Sequence, residues 1–177
     1  MSHIEISDKD KIRLNDLGSY SYHCLDNGKP FTSALDIAIV FSNYNLSINE
    51  SLMNGYLNRL TQKKFSGCIG SMKAPGGAFE LPILCQRIIK SYSPSVILAL
   101  GCITKGDTKH YDFLSSTVTA SICNLSLTHD TPIINGILTV ETESQAIDRA
   151  GTKENKGQEF ADTTLDLLNA LGYLSGQ

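Results

Sequence analysis

Apolar residues along this chain fall into short continuous runs, separated by segments in which they recur every three or four positions. Leu35 to Phe41 (LDIAIVF), Gly67 to Met72, Val96 to Leu100 and Pro132 to Leu138 have the length and composition of strands. Val96 to Leu100 is apolar on both faces, as a central parallel strand should be. Between the runs the period changes. Ser47 and Glu50 fit a capping box, and Ile48, Leu52, Tyr56 and Leu60 repeat behind it at helical spacing. A second helix is expected to begin near Glu80 and Leu81, with Pro82 in its first turn and a stripe of Leu81, Leu84, Cys85 and Ile88. Residues 111–129 read as a long helix with Tyr111, Leu114, Val118, Ile122 and Leu125 inward, ending at His129. Thr142 and Gln145 cap a short helix, and Phe160, Leu165, Leu168 and Leu171 mark a last amphipathic one. Strand and helix thus alternate four times with short connections, which predicts an α/β fold: a parallel sheet covered by helices on both faces. Residues 1–33 are polar and mixed, with Asp8-Lys9-Asp10-Lys11 and an Asn27-Gly28-Lys29-Pro30 turn. They read as an arm or poorly ordered extension, with room for one edge strand, ahead of a domain over 34–177.

Composition narrows the function. The length, 177 residues, suits one domain with one sizeable core. Fifteen basic against eighteen acidic residues leave a net charge of −3, which argues against non-specific nucleic-acid binding. The longest apolar run, Val96 to Ile103, is eight residues, where a membrane span needs ~20. No basic region followed by an apolar one opens the chain, so a soluble, cytoplasmic protein is expected. The five cysteines, Cys24, Cys68, Cys85, Cys102 and Cys123, are scattered and form no C-x-x-C pair. They read as small hydrophobes rather than as metal ligands or a disulfide framework.

In an open parallel sheet, ligands bind along the edge where the strands' carboxyl ends deliver their loops. Those loops are Ser42 to Asn45, Ala74 to Glu80, Ile103 to His110 and Thr139 to Glu141. The third is the most suggestive. Gly106 permits a tight turn, and the N–H groups of Asp107 and Thr108 would open the following helix as an anion site. His110 follows, and histidine is the side-chain type that moves protons near neutral pH. Equally, Asp107 and Thr108 could serve only as caps, with His110 a surface residue. Tyr44 is either a platform for a planar ring or a core aromatic at a strand end. Pro75-Gly76-Gly77 matches neither a P-loop nor a dinucleotide fingerprint. Arg149, Lys153 and Lys156 lie in a glycine-punctuated, mixed-charge linker of the kind that is usually just solvated. The residues alone reach a domain that binds a small phosphorylated or planar ligand.

Three stretches carry a more specific resemblance: Gly77-Ala78-Phe79-Glu80-Leu81-Pro82, Ala99 through Asp112, and Gly136 through Lys153, completed by Asn155-Lys156-Gly157-Gln158-Glu159. Their order and spacing over residues 35–172 resemble the 6,7-dimethyl-8-ribityllumazine synthase (lumazine synthase) family. The resemblance implies a flavodoxin-like three-layer sandwich with a four-stranded parallel sheet flanked by helices. It also implies the penultimate step of riboflavin biosynthesis, a transferase reaction without metal or organic cofactor. By position, His110 would be the proton shuttle and Arg149 the main phosphate ligand, assisted by the N–H groups of Asp107 and Thr108. Tyr44 would stack on the pyrimidine, where the family usually has phenylalanine. Asn45, Ala78, Phe79 and Glu80 would line the ribityl side, with Cys102 and Thr104 near the ring through their backbone. Lys156 and Asn135 would come from a neighbouring subunit, because the family's sites lie between subunits of a pentamer, which some relatives multiply into icosahedral shells. Association with riboflavin synthase is a further partner the resemblance implies.

The chain departs from the family pattern in four places. Asn135 stands where many relatives carry phenylalanine, and Lys109 replaces a common proline or alanine. The segment between Lys153 and Asn155 is one residue short, and the N-terminal extension is longer than usual. Two other readings stay open at this point, a non-catalytic lumazine- or flavin-binding carrier or shell protein, and a generic flavodoxin-like binding module. The generic module has no need of His110, Arg149 and Lys156 together, and a carrier would be expected to lose His110 or Arg149, although Asn135 in place of the aromatic keeps the carrier reading open.

Overall fold

Side chains on a strand point alternately to its two faces, so a strand apolar throughout needs a core on each side. The computed structural model, which describes residues 20–25 and 35–173, meets that need with two helical layers. In chain order the elements are β1 (Tyr20–Leu25), β2 (Ile37–Ser42), α1 (Leu46–Gln62), β3 (Gly67–Ala74), a 3₁₀ turn (Ala78–Glu80), α2 (Leu81–Tyr92), β4 (Val96–Thr104), α3 (His110–His129), β5 (Ile133–Val140), α4 (Glu143–Arg149) and α5 (Lys156–Ala170). The sheet order is β1-β3-β2-β4-β5, with β2, β3, β4 and β5 mutually parallel. This is the expected four-stranded flavodoxin-like sandwich, extended by β1, which pairs antiparallel with β3 from Tyr20 against Met72 to Leu25 against Gly67. The Asp8 to Lys11 charge run and the Asn27 to Pro30 turn lie outside the described residues. No helix among those described is long and apolar enough to cross a membrane.

The alternation is strict at the centre. Ile37, Ile39 and Phe41 of β2, with Val96, Leu98, Leu100 and Cys102 of β4, face α1 and α5. Ala38 and Val40, with Ile97, Ala99 and Ile103, face α2 and α3. Ile48, Leu52, Tyr56 and Leu60 are buried, as their spacing predicts. Inside that layer the Tyr56 hydroxyl donates to Thr164 Oγ1 at 3.0 Å, and burial pushes the phenol's pKa well above its usual range.

Four details differ from the sequence reading. The Ser47–Glu50 capping box does not form: α1 starts at Leu46, behind Asn45, which adopts a left-handed conformation (φ 55°) that asparagine tolerates better than most residues. The inward face of α5 is Gly157, Ala161, Thr164 and Leu168, while Leu171 lies past the helix end and is exposed. Small residues occupy that face because α1 and α5 come close together. A Cβ on Gly157 would strike the Leu52 carbonyl oxygen, and one on Gly55 would strike Asn155 Oδ1. Cys85 and Cys102 are buried as expected of small hydrophobes, but Cys123 is exposed on the outer surface of α3. Finally, α3 begins one residue early, at His110.

Candidate active site

The strand order reverses between β2 and β4. From β2 the chain crosses to β3 on one side, then returns to β4 on the other, and a crevice opens at the carboxyl ends of such a pair. Asn45 bridges it: its Nδ2 donates to the Cys102 carbonyl oxygen at 2.9 Å, tying the loop after β2 to the end of β4. That use of the side chain, with the left-handed backbone, is why Asn45 makes no helix-capping bond. Above the bridge lies a cleft of about 420 Å³.

The first three carboxyl-end loops line it. Tyr44 comes from the loop after β2, Gly77 to Glu80 from the loop after β3, Cys102 to Thr104 from the end of β4, and Gly106, Thr108 and His110 from the entry to α3. Tyr44 is 71% exposed and Phe79 65%, so Tyr44 is not a core aromatic at the strand end, and its ring is accessible at the cleft. The glycine-rich turn has a steric function: a Cβ on Gly76 would lie 2.5 Å from Glu80 Oε2, so glycine leaves room for the carboxylate. The carbonyl of Gly76 also accepts the N–H groups of Asn43 and Tyr44 at 3.0 and 3.2 Å, fastening the first two loops together. Thr108 Oγ1 accepts the His110 N–H at 3.3 Å, Lys109 occupies the N-cap position of α3 without a side-chain bond, and the His110 imidazole stands exposed at the cleft.

Of the other residues singled out from sequence, Asp107 is exposed in the loop ahead of α3 and does not line the cleft. The fourth loop stays out of it as well, with Glu141 pairing to Lys105 at 3.1 Å. Arg149 ends α4, donating from Nη1 to the Gln145 carbonyl oxygen at 3.2 Å. Lys156 opens α5 between Glu154 and Glu159, at 3.3 and 2.8 Å, and these bonds hold its ammonium pKa above the usual value. Asn135 is exposed on β5, where its Oδ1 accepts the Ile137 N–H at 3.2 Å. None of these three lines the cleft of its own chain. Tyr111 and Leu114, assigned to the core by periodicity, do line it, and so does Ile103. Their apolar edges could not be told from core in the sequence, because the helical stripe of α3 runs from the core out under the cleft.

The chemistry on offer is narrow. The cleft combines two exposed aromatic rings, a carboxylate, one imidazole and an apolar floor. Burial raises the Cys102 thiol pKa, against a smaller opposing effect of Thr104, whose Oγ1 lies 4.0 Å from the sulfur. A thiol held protonated is a poor nucleophile, so the imidazole is the group suited to proton transfer. Residues 34–172 match the family described as 6,7-dimethyl-8-ribityllumazine synthase. A similar protein is the 6,7-dimethyl-8-ribityllumazine synthase of Buchnera aphidicola subsp. Baizongia pistaciae (strain Bp). It is 41% identical over 145 residues, which cover 79% of this chain and 89% of the relative. On the extent of both matches, this chain belongs to the 6,7-dimethyl-8-ribityllumazine synthase family.

Proposed function

We propose that this chain joins 5-amino-6-(D-ribitylamino)uracil to 3,4-dihydroxy-2-butanone 4-phosphate, giving 6,7-dimethyl-8-ribityllumazine, phosphate and water. The observation that carries this reading is the convergence of Tyr44, Phe79, Glu80 and His110 on one cleft at the switch point of the sheet. The aromatic rings suit a planar pyrimidine, and Glu80 with the polar loop edges suits a polyhydroxylated chain. An amine of the pyrimidine condenses with the ketone as an imine, phosphate leaves by elimination, and the second amine closes the ring. Every step moves a proton between nitrogen, carbon and oxygen. One positioned base therefore serves the sequence, with orientation supplying much of the rate. The carrier reading has no use for an imidazole at the mouth of the cleft.

Phosphate is best held by permanent cations, and no lysine or arginine among the described residues lines this chain's cleft. Arg149 and Lys156 therefore act on the phosphate at the cleft of a neighbouring copy, in a ring built by a repeated head-to-tail contact, and Asn135 takes the wall of that cleft opposite Tyr44. The exposed Phe79, Ile83 and Phe113 supply apolar surface beside the cleft for such a contact. The proposed assembly is a pentamer or a multiple of pentamers working in the cytoplasm, as the family resemblance implies. The test is subunit mixing. Arg149→Ala alone should raise the KM for the phosphorylated ketone by roughly 10- to 100-fold, the scale of a lost charge-assisted bond. Co-assembled with His110→Ala subunits at equal amounts, about a quarter of the interfaces regain both groups, and activity returns above either parent. Absence of recovery in mixed oligomers would place Arg149 in its own chain's site.

A further inference from the structure

Asn49 is fully buried, one turn into α1, among positions whose spacing calls only for apolar residues. A side chain on a helix leans toward the N-terminus, so this carboxamide reaches back over the first turn of α1 to the loop that precedes it. Its Nδ2 donates to three acceptors there: the Ser42 carbonyl oxygen at 2.8 Å, Ser42 Oγ at 3.0 Å and the Tyr44 carbonyl oxygen at 3.1 Å. Ser42 Oγ in turn donates to the Tyr44 carbonyl at 3.1 Å. The other end of the amide is wasted: Asn49 Oδ1 is buried without a hydrogen-bond partner among the described residues. An unpaired buried acceptor is costly, and an apolar side chain of the same shape would avoid it. What the amide secures in return is the backbone of residues 42–44.

That backbone decides where the Tyr44 ring stands, because the ring itself lies mostly in solvent. The loop is tied sideways to Gly76 through the N–H groups of Asn43 and Tyr44, and to Cys102 through Asn45. Among the described residues, the Asn49–Ser42 pair is what holds it from the core side through side-chain hydrogen bonds. We propose that Asn49 is a positioning residue that sets the Tyr44 platform, and through it the affinity of the site for the pyrimidine substrate. The proposal rests on the lumazine synthase reading for its substrate, whereas the clamp itself is a property of the loop.

The experiment compares wild type with Asn49→Leu in the full-length, assembled protein. Steady-state kinetics should show the KM for the pyrimidine diamine raised about tenfold, with kcat and the KM for the ketone phosphate unchanged. Amide hydrogen exchange should speed up over residues 42–46 and stay unchanged in α5. Wild-type KM with wild-type exchange in the variant overturns the proposal, and so does an equal loss in kcat and both KM values with faster exchange throughout the domain. If Asn49→Leu does not fold, Ser42→Ala carries the test. It loses one acceptor of Nδ2 and one donor to Tyr44, and an unchanged pyrimidine KM in that variant overturns the clamp. A wild-type protein that forms no lumazine would remove the enzymatic reading, while the exchange at 42–46 still decides the clamp.

Discussion

Replacing His110 by alanine lowers kcat by roughly 10²-fold, the scale of removing a general acid–base group, and leaves the fold and oligomer size unchanged. The effect on structure is small because the imidazole is exposed at the first position of α3, and the bond made at that residue uses the backbone N–H, with Thr108 Oγ1 as acceptor. The variant leaves no buried partner unsatisfied. The effect on rate is large because condensation, elimination and ring closure each need a proton moved. A 10²-fold loss corresponds to about 2.7 kcal/mol of transition-state stabilisation. Residual turnover persists because the cleft still holds the reactants together. Both KM values should stay near wild type, since the platform and the phosphate ligands are untouched. A loss of less than about tenfold would mean that another group carries the protons.

Gly157→Ala should destabilise the protein by about 2 kcal/mol, against the sign that helix propensity alone would give. Alanine in place of glycine within an ordinary helix gains about 1 kcal/mol. At Gly157, however, a Cβ would meet the Leu52 carbonyl oxygen, and the Tyr56 nitrogen at 2.9 Å. Both are backbone atoms of α1 and cannot swing aside, so the helices must separate. Overpacking against backbone that cannot yield costs about 3 kcal/mol, the top of the usual range, which outweighs the propensity gain and leaves about 2 kcal/mol net. For a chain of this size the melting temperature should fall by about 4–8 °C, at one fixed protein concentration. An unchanged or raised melting temperature would show that α1 and α5 have slack between them. Because Lys156 directly precedes Gly157, the shift should also weaken binding of the phosphorylated substrate in the assembled protein.

Much of the architecture was readable from residue order because it depends on local pattern. Runs such as Ile37 to Phe41 and Val96 to Leu100 are apolar at every position, the pattern and length of a strand buried on both faces. The spacing of Ile48, Leu52, Tyr56 and Leu60 located α1 for the same reason. Where the reading failed, contacts distant in sequence had the decision. The expected Ser47–Glu50 box gives way to a start at Leu46, behind an Asn45 whose amide reaches Cys102, 57 positions away. The inward face of α5 is set by how near α1 approaches, so Gly157 and Ala161 are buried while the larger Leu171 is left outside. Tyr111 and Leu114 have the periodicity of core residues and become cleft walls only because three loops end above them.

The candidate site divides along the same line. Tyr44, Ala78, Phe79, Glu80, Cys102, Thr104, Thr108 and His110 share the carboxyl edge of the sheet, which the alternation of strands and helices already implied. The placement of Arg149, Asn135 and Lys156 away from that cleft depends on three-dimensional arrangement, which residue order alone does not give. Asn49 was invisible beforehand because a polar residue on an apolar helical stripe gives no hint of what it reaches back to hold.

The most direct test of the whole account is steady-state formation of the lumazine by purified wild-type protein, followed by absorbance, with both substrates present and the protein sized in the same buffer. The account predicts product from a pentamer or a multiple of it, dependent on both substrates, with phosphate released in equal amount. An assembled protein that binds the pyrimidine or a flavin yet forms no product would contradict it and make the chain a carrier.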